Sequence, residues 1–203
     1  MSNKNLFVIG GPNGAGKSTS STAILSKYNL IAFDWDKQFD LNWKNFNYDP
    51  SVIEGIRSTT NTSFSEYIES SIGDNLDIAF ETNFHTPFSL EICKRAKKLG
   101  YETNLIFLMV QSIDVCFERV DHRVKNGGHF VSKNEIIERY HKGLENLDTS
   151  LRDFDNIILL DTTEPYIIKN VANIQSGKVT KTYMKISESV KSLVPNLFAI
   201  LKV

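Results

Sequence analysis

The sequence lacks the features that would assign several common functions. It carries two cysteines in 203 residues, Cys93 and Cys116. They form no metal-binding spacing and no disulfide framework, so buried thiols in a reducing compartment are expected. Charge of either sign is not in excess: 23 Lys and Arg against 24 Asp and Glu leave a net charge of −1. That balance gives no bulk attraction to polynucleotides or anionic lipid, so neither nucleic acid nor membrane is expected as a partner. No apolar run is long enough to span a bilayer. Met1 to Asn5 leads straight into an apolar strand rather than a signal peptide, and a cytoplasmic location follows as the expectation. Repeats, low-complexity tracts and long linkers are absent too. One domain with appendages is the default for this length.

What is present is concentrated in one stretch. Gly11-Pro12-Asn13-Gly14-Ala15-Gly16-Lys17-Ser18 fits G-x-x-x-x-G-K-[ST], followed by Thr19. Leu6 to Ile9 is a continuous apolar run before it, as in a strand buried on both faces. Ser18 to Leu25 reads as the first turns of a helix. Strand, glycine-rich loop and helix is the arrangement a P-loop needs. Glycines let backbone N–H groups turn in around phosphate oxygens, and the helix presents its positive end to the same anion. Lys17 can reach the β- and γ-phosphates, and the Ser18 hydroxyl can ligate Mg²⁺. The sequence therefore predicts ATP or GTP binding across Gly11 to Thr19.

Further strands carry polar residues at their carboxyl ends, where open parallel sheets bind ligands. Leu30 to Phe33 is read as a second strand, with Asp34 and Asp36 just beyond it. Either carboxylate could face the crevice or cap a helix running through Phe39. Phe39 to Tyr48 fits a substrate-side flap and a surface helix equally. Ser63 and Glu66 have capping-box form and predict a helix starting there and running to Gly73. Asp77 to Phe80 is a third strand, followed by Glu81, Asn83 and His85. Pro87 to Gly100 is helical. Thr103 to Val110 is the strongest strand.

Ser112 to Val124 predicts a helix carrying Arg119 and Arg123 on one face. Asn126-Gly127-Gly128-His129 breaks it, and a capping box at Ser132 and Glu135 opens another helix containing Arg139. Two helices around a Gly-Gly loop with three arginines look like a mobile lid that brings cations to a transferring phosphoryl group. Asn156 to Leu160 is a fifth strand. After Thr162, a hairpin centred on Ser176-Gly177 and a last helix over Tyr183 to Leu193, stopped near Pro195, are expected.

These elements resemble the zeta-toxin-like kinases, including bacterial proteins often labelled ABC-type ATPases. The matching residues are GPNGAGKST at Gly11 to Thr19, Asp34-x-Asp36, and FETN at Phe80 to Asn83. They continue with LGYETNL at Leu99 to Leu105, ERVDHRVKNGGHFV at Glu118 to Val131 and ERYHKGLENL at Glu138 to Leu147. The resemblance implies an α/β fold, a P-loop NTPase three-layer sandwich. Its core would be a five-stranded parallel sheet in order 2-3-1-4-5, with a helical lid and a C-terminal hairpin plus helix. Residues 1–162 would form the kinase domain, its lid around 119–139, with 163–203 packed on the same domain.

It further implies Mg²⁺-dependent transfer of a γ-phosphate from ATP or GTP to a small-molecule hydroxyl, such as a UDP-N-acetylated sugar, and a possible antitoxin protein as partner. Asp36 falls on the residue that accepts the acceptor's proton. Glu81 and Asn83 fall on substrate contacts, with Asp34 beside them and Glu66 near a further acidic contact. Arg119 falls on a phosphate-binding arginine. The second such arginine matches the neighbourhood of His129, a role Arg123 or Arg139 could take. Catalysis is thereby assigned to Asp36, Lys17, Arg119 and Arg123. The alternatives are a nucleotide-dependent ATPase switch or binding module regulated by a partner, and a nucleic-acid end kinase.

Overall fold

The computed structural model of the chain describes residues 4–128 and 130–201. Its first strand, β1 (Lys4–Gly10), is buried along Leu6, Phe7, Val8 and Ile9, each at most 2 % exposed. Such a strand requires neighbours on both edges and cover on both faces. It pairs in parallel with β3 (Ile78–Thr82) on one side and β4 (Tyr101–Met109) on the other. The short β2 (Phe33–Asp34) adds to β3, and β5 (Asn156–Asp161) adds to β4, both in parallel. A hairpin of β6 (Lys169–Gln175) and β7 (Lys178–Thr182) then continues the sheet antiparallel from β5.

Among the described residues the sheet is therefore mixed, with seven strands in the order β2-β3-β1-β4-β5-β6-β7. Five strands were expected, with the hairpin outside the sheet. The difference comes from β6, which buries Val171, Ala172 and Ile174 as it pairs with β5. Ser176 and Gly177 both take positive φ, 48° and 75°, the backbone that matches the strand twist of a tight hairpin.

The helices α1 (Lys17–Leu25), α2 (Trp35–Lys44), α3 (Ile53–Gly73), α4 (Phe88–Lys98), α5 (Ile113–Lys125), α6 (Lys133–Thr149), α7 (Glu188–Lys191) and α8 (Pro195–Leu201) connect and cover these strands. Residues 39–48 settle as the end of α2 and a turn. Phe39 is buried at 3 % and stacks on Trp35, whereas Phe46 and Tyr48 further along the segment are exposed. The helix start expected at Ser63 is not a boundary. Ile56, Thr60, Phe64, Ile68 and Ser71 form one uninterrupted buried stripe along α3, and Ser63 lies inside it. The box at Ser132 does cap: its hydroxyl accepts from Glu135 N–H while the Glu135 side chain accepts from Ser132 N–H. The last helix is two short ones, and Pro195 opens α8 rather than ending its predecessor, as suits a residue with fixed φ and no N–H.

Because β2 is only two residues long, most of the β3 edge needs another partner. Tyr67 of α3 supplies it: its hydroxyl accepts from Ala79 N–H and donates to Ala79 C=O, both at 3.0 Å. Cys93 and Cys116 are buried free thiols, pushed up by burial to about 11 and about 12 respectively. No helix among the described residues is long and apolar enough to cross a membrane.

Candidate active site

The carboxyl ends of β1, β2, β3 and β5 open on one cavity of about 1190 Å³. Asn13 to Ser20, Asp34 to Lys37, Glu81 to Asn83, Thr162 and residues 164–168 contribute to its walls. A site for one ligand is typically ~300–1,000 Å³, so this cavity has room for two.

The loop leaving β1 turns at Gly11, whose φ is 146°; a Cβ there would stand 2.5 Å from the Leu108 carbonyl oxygen. Only glycine can sit so close to β4. At the loop's end Gly16 takes φ 84° and precedes the first turn of α1, which is not capped by a side chain. The N-terminal amides of α1 thus face the cavity with their positive dipole end.

Lys17 reaches back across this loop. Its ammonium donates to Gly11 O at 2.8 Å, Pro12 O at 3.2 Å and Asn83 Oδ1 at 2.8 Å. Burial lowers its pKa from the ordinary lysine value, opposed by the nearby charges of Asp36, Glu81 and Asp34. Asn83 is buried, and its amide nitrogen donates to Asp36 Oδ2 at 3.5 Å. One amide therefore joins the P-loop lysine to the carboxylate in the first turn of α2.

A second cluster forms beside it because parallel register sets Asp34 of β2 opposite Glu81 of β3. Asp34 Oδ2 and Glu81 Oε2 lie 2.6 and 2.8 Å from Ser18 Oγ, and Ser21 Oγ donates to Glu81 Oε1 at 2.7 Å. Asp34 also caps α2 by accepting from Lys37 N–H. The Ser18 hydroxyl has one proton and can donate to only one of the two carboxylates at a time. Burial, then the neighbouring Asp34 charge, raise the pKa of Glu81, against the lowering effect of its serine hydrogen bonds and Lys17.

The convergence also fits a divalent cation. Three hard oxygens meet here, and adjacent oxygens around an octahedral Mg²⁺ with bonds of about 2.1 Å stand about 3 Å apart. Ser18, Asp34 and Glu81 are the residues that would hold it; the sequence pointed to Ser18 and to a catalytic or metal role for Asp34 or Asp36, but not to Glu81 as a ligand.

The arginines separate. Arg119 lines the cavity, but its guanidinium donates to Gly14 O at 3.1 Å, Thr162 O at 2.8 Å and Thr163 O at 3.1 Å. It ties the P-loop to the segment after β5. Thr162 reinforces the tie by donating from Oγ1 to Ala15 O at 2.9 Å. Arg123 lines the cavity and stands near enough to Lys17 for its charge to act on the lysine. Arg139 of α6 also lines the cavity and reaches Asn13 Oδ1 at 3.3 Å. Glu66 stands exposed on α3 and lines a separate shallow groove, which shares Arg57 and Asn61 with the main cavity. His129 lies outside the described residues.

Thr162 and residues 164–168, together with a group of Trp35, Arg57, Asn61 and Phe88, line the cavity without having been expected there. The first could have been found by extending the strand-end rule to β5. The second comes from helix faces whose direction is set only by packing.

The zeta toxin family model matches residues 2–171 of this chain. No curated protein matches it by sequence. Solved structures do. The chain is similar to one from the PezAT chromosomal toxin–antitoxin system of Streptococcus pneumoniae, with 13 % identity, TM-score 0.67, and coverage of 100 % of this chain and 89 % of that one. An AvrRxo1-ORF1:-ORF2 structure with ATP gives 13 % identity, TM-score 0.64, and coverage of 98 % and 64 %. Deoxyadenosine kinase from M. mycoides gives 14 % identity, TM-score 0.50, and coverage of 97 % and 98 %. At these identities the likeness is one of fold.

Proposed function

The chain belongs to the zeta toxin family, and on that premise we propose that it is a P-loop kinase that moves the γ-phosphate of ATP or GTP to a hydroxyl of a small molecule. A nucleotide sugar, such as a UDP-N-acetylated sugar, is the acceptor class we assign. The observation that carries this reading is the Asn83 side chain, hydrogen-bonded to Lys17 at 2.8 Å and to Asp36 at 3.5 Å. A nucleotide switch needs the lysine but not a carboxylate held against it on the acceptor side.

In this reading the P-loop amides and Lys17 hold the β- and γ-phosphates. Ser18, Asp34 and Glu81 hold Mg²⁺, which supplies neutralisation of phosphate charge when bound. Asp36 lies on the acceptor side, where it takes the proton of the attacking hydroxyl. The acceptor oxygen bonds to the γ-phosphorus as the bond to the β,γ-bridging oxygen breaks, and the nucleoside diphosphate leaves. Asn83 keeps Asp36 and Lys17 in fixed relation. Arg123 adds positive charge on the donor side, and Arg119 braces the loop that receives the nucleotide.

We assign residues 1–162 to the kinase domain, with a lid around 119–139, and 163–203 to the same domain, since β6 pairs with β5. Ser187 N–H also donates to Gln111 Oε1 at 2.8 Å, fastening the C-terminal segment beyond β4. An antitoxin protein is the partner we propose, by analogy with the Streptococcus pneumoniae toxin–antitoxin system. Incubation with labelled ATP or GTP and a panel of nucleotide sugars tests the reading. Label should pass to one acceptor, and turnover that no acceptor stimulates would favour the switch.

A further inference from the structure

The resemblance places one phosphate-binding arginine at Arg119 and leaves the second between Arg123 and Arg139. The geometry separates Arg119 from Arg139. Arg119 makes three contacts of 2.8 to 3.1 Å to main-chain oxygens. Carbonyls that hold a guanidinium this closely compete with a phosphate for the same N–H groups. Arg139 makes two long contacts, 3.3 Å to Asn13 Oδ1 and 3.4 Å to Glu135 Oε1. A guanidinium has five N–H donors in a fixed fork, so two long contacts leave it capacity for a ligand in the cavity it lines. Its side chain is only 21 % exposed, which keeps that charge in a weakly screened setting.

The position is also rigid. Tyr140, the next residue, donates from its hydroxyl to Val110 O at 2.8 Å. One turn on, Gly143 packs so closely on the β3–α4 segment that a Cβ there would stand 2.8 Å from Asn83 O. Asn146 then donates to Phe84 O at 2.8 Å. Tyr140 thus docks α6 beyond the end of β4, Gly143 and Asn146 dock it on the segment that carries Asn83, and its capping box fixes the other end. Arg139 stands between the donor loop, through Asn13, and the acceptor wall at His85. The His85 pKa is lowered first by burial and next by the Arg139 charge.

We propose that Arg139 is a catalytic residue, the arginine that donates hydrogen bonds to the non-bridging oxygens of the γ-phosphoryl group as it passes from donor to acceptor. This rests on the kinase reading above. The bonds made and broken are those already given: acceptor oxygen to phosphorus formed, phosphorus to bridging oxygen broken, proton to Asp36. Arg139 moves no proton. Its contact strengthens as charge spreads over the equatorial oxygens, so it should act on turnover more than on nucleotide affinity.

The test compares Arg139→Ala, Arg139→Lys and Asn13→Ala with the unaltered protein. It measures ATP affinity, phosphorylation of UDP-N-acetylglucosamine and, with water as acceptor, ATP hydrolysis. Arg139→Ala should lower kcat by ~10²–10³-fold, the usual loss for one such donor, with ATP affinity within about threefold. Arg139→Lys should recover part of the rate by restoring the charge without the fork. Asn13→Ala, which removes one of the two side chains Arg139 touches and leaves the guanidinium in place, should cost less than Arg139→Ala.

An unchanged kcat in Arg139→Ala would overturn the proposal. So would a loss carried equally by ATP affinity, or an Asn13→Ala variant that reproduces the whole effect. If the unaltered protein hydrolyses ATP but leaves the sugar nucleotide untouched, the acceptor assignment fails and Arg139 is judged on hydrolysis. No turnover of either kind by the unaltered protein overturns both readings together.

Discussion

The two ends of the cavity are built differently. At the donor end the groups that face phosphate are backbone amides on a loop and a helix terminus, cross-braced by Arg119 and Thr162 to the strand end beyond β5. At the end we propose for the acceptor they are side chains from separate elements: Asp36 and Trp35 on α2, Arg57 and Asn61 on α3, Asn83 and His85 after β3, and Arg139 on α6. Backbone recognition tolerates most substitutions that keep the loop's φ angles. Side-chain recognition does not, so on the proposed kinase reading the acceptor end is where one family member would differ from another in what it phosphorylates. Lys17 is the exception at the donor end, and Asn83 ties it to the other half.

The largest effect should therefore come from Lys17, the one charged side chain on the P-loop itself. Lys17→Ala should abolish turnover, because nothing else on the loop compensates the β- and γ-phosphates. Steady-state turnover with saturating ATP checks this. Near-normal turnover and affinity would mean that the donor end is held by backbone alone.

How much of this was legible in the chain follows the same division. The P-loop could be read because its chemistry depends on glycines and one lysine in consecutive positions. Strand order could be anticipated from the resemblance, and Asp34 and Glu81 from the rule that strand ends face ligand. Their meeting at Ser18 is a matter of parallel register, which no local pattern encodes. The hairpin was foreseen, but not its place in the sheet, since a strand's partner is chosen by burial. Ser63 misled because a capping box is a local signal, overridden here by a hydrophobic stripe continuous through it. Arg119 and Arg139 look alike in sequence. Three carbonyls meeting one guanidinium tell them apart.

Smaller effects sharpen the contrast. Arg119→Ala removes three hydrogen bonds that join the P-loop to the segment after β5. It should weaken nucleotide binding by about tenfold and cost ~1–3 kcal/mol of stability, as expected where carbonyls lose a charged donor. Nucleotide titration and chemical denaturation measure the two. A fall in kcat with binding and stability unchanged would return Arg119 to the phosphate.

The smallest effect is on pH dependence. The Glu81 pKa is raised in the fold, so the folded state holds its proton more tightly than the unfolded chain does. The stabilising contribution is present below the ordinary glutamate value and is lost as pH rises through the folded value. In metal-free protein, stability should decline over that window, and Glu81→Gln should flatten the decline. Mg²⁺ should reverse it above the window by favouring the carboxylate. Denaturation midpoints across pH, with and without Mg²⁺, decide this, and identical profiles for the two proteins would remove Glu81 from the linkage.

The central claim is that one amide holds a donor-side lysine and an acceptor-side base in a single kinase site. Asp36→Asn tests it most directly, because it keeps the shape of the side chain and removes its ability to take a proton. Nucleotide affinity and acceptor phosphorylation are to be measured on the same preparation. Affinity should persist, since the loop supplies it independently, while transfer should fall by ~10²–10⁴-fold, the range for a positioned acid–base group. Unchanged transfer, or a loss of Mg²⁺·ATP binding large enough to explain the fall, would contradict the account.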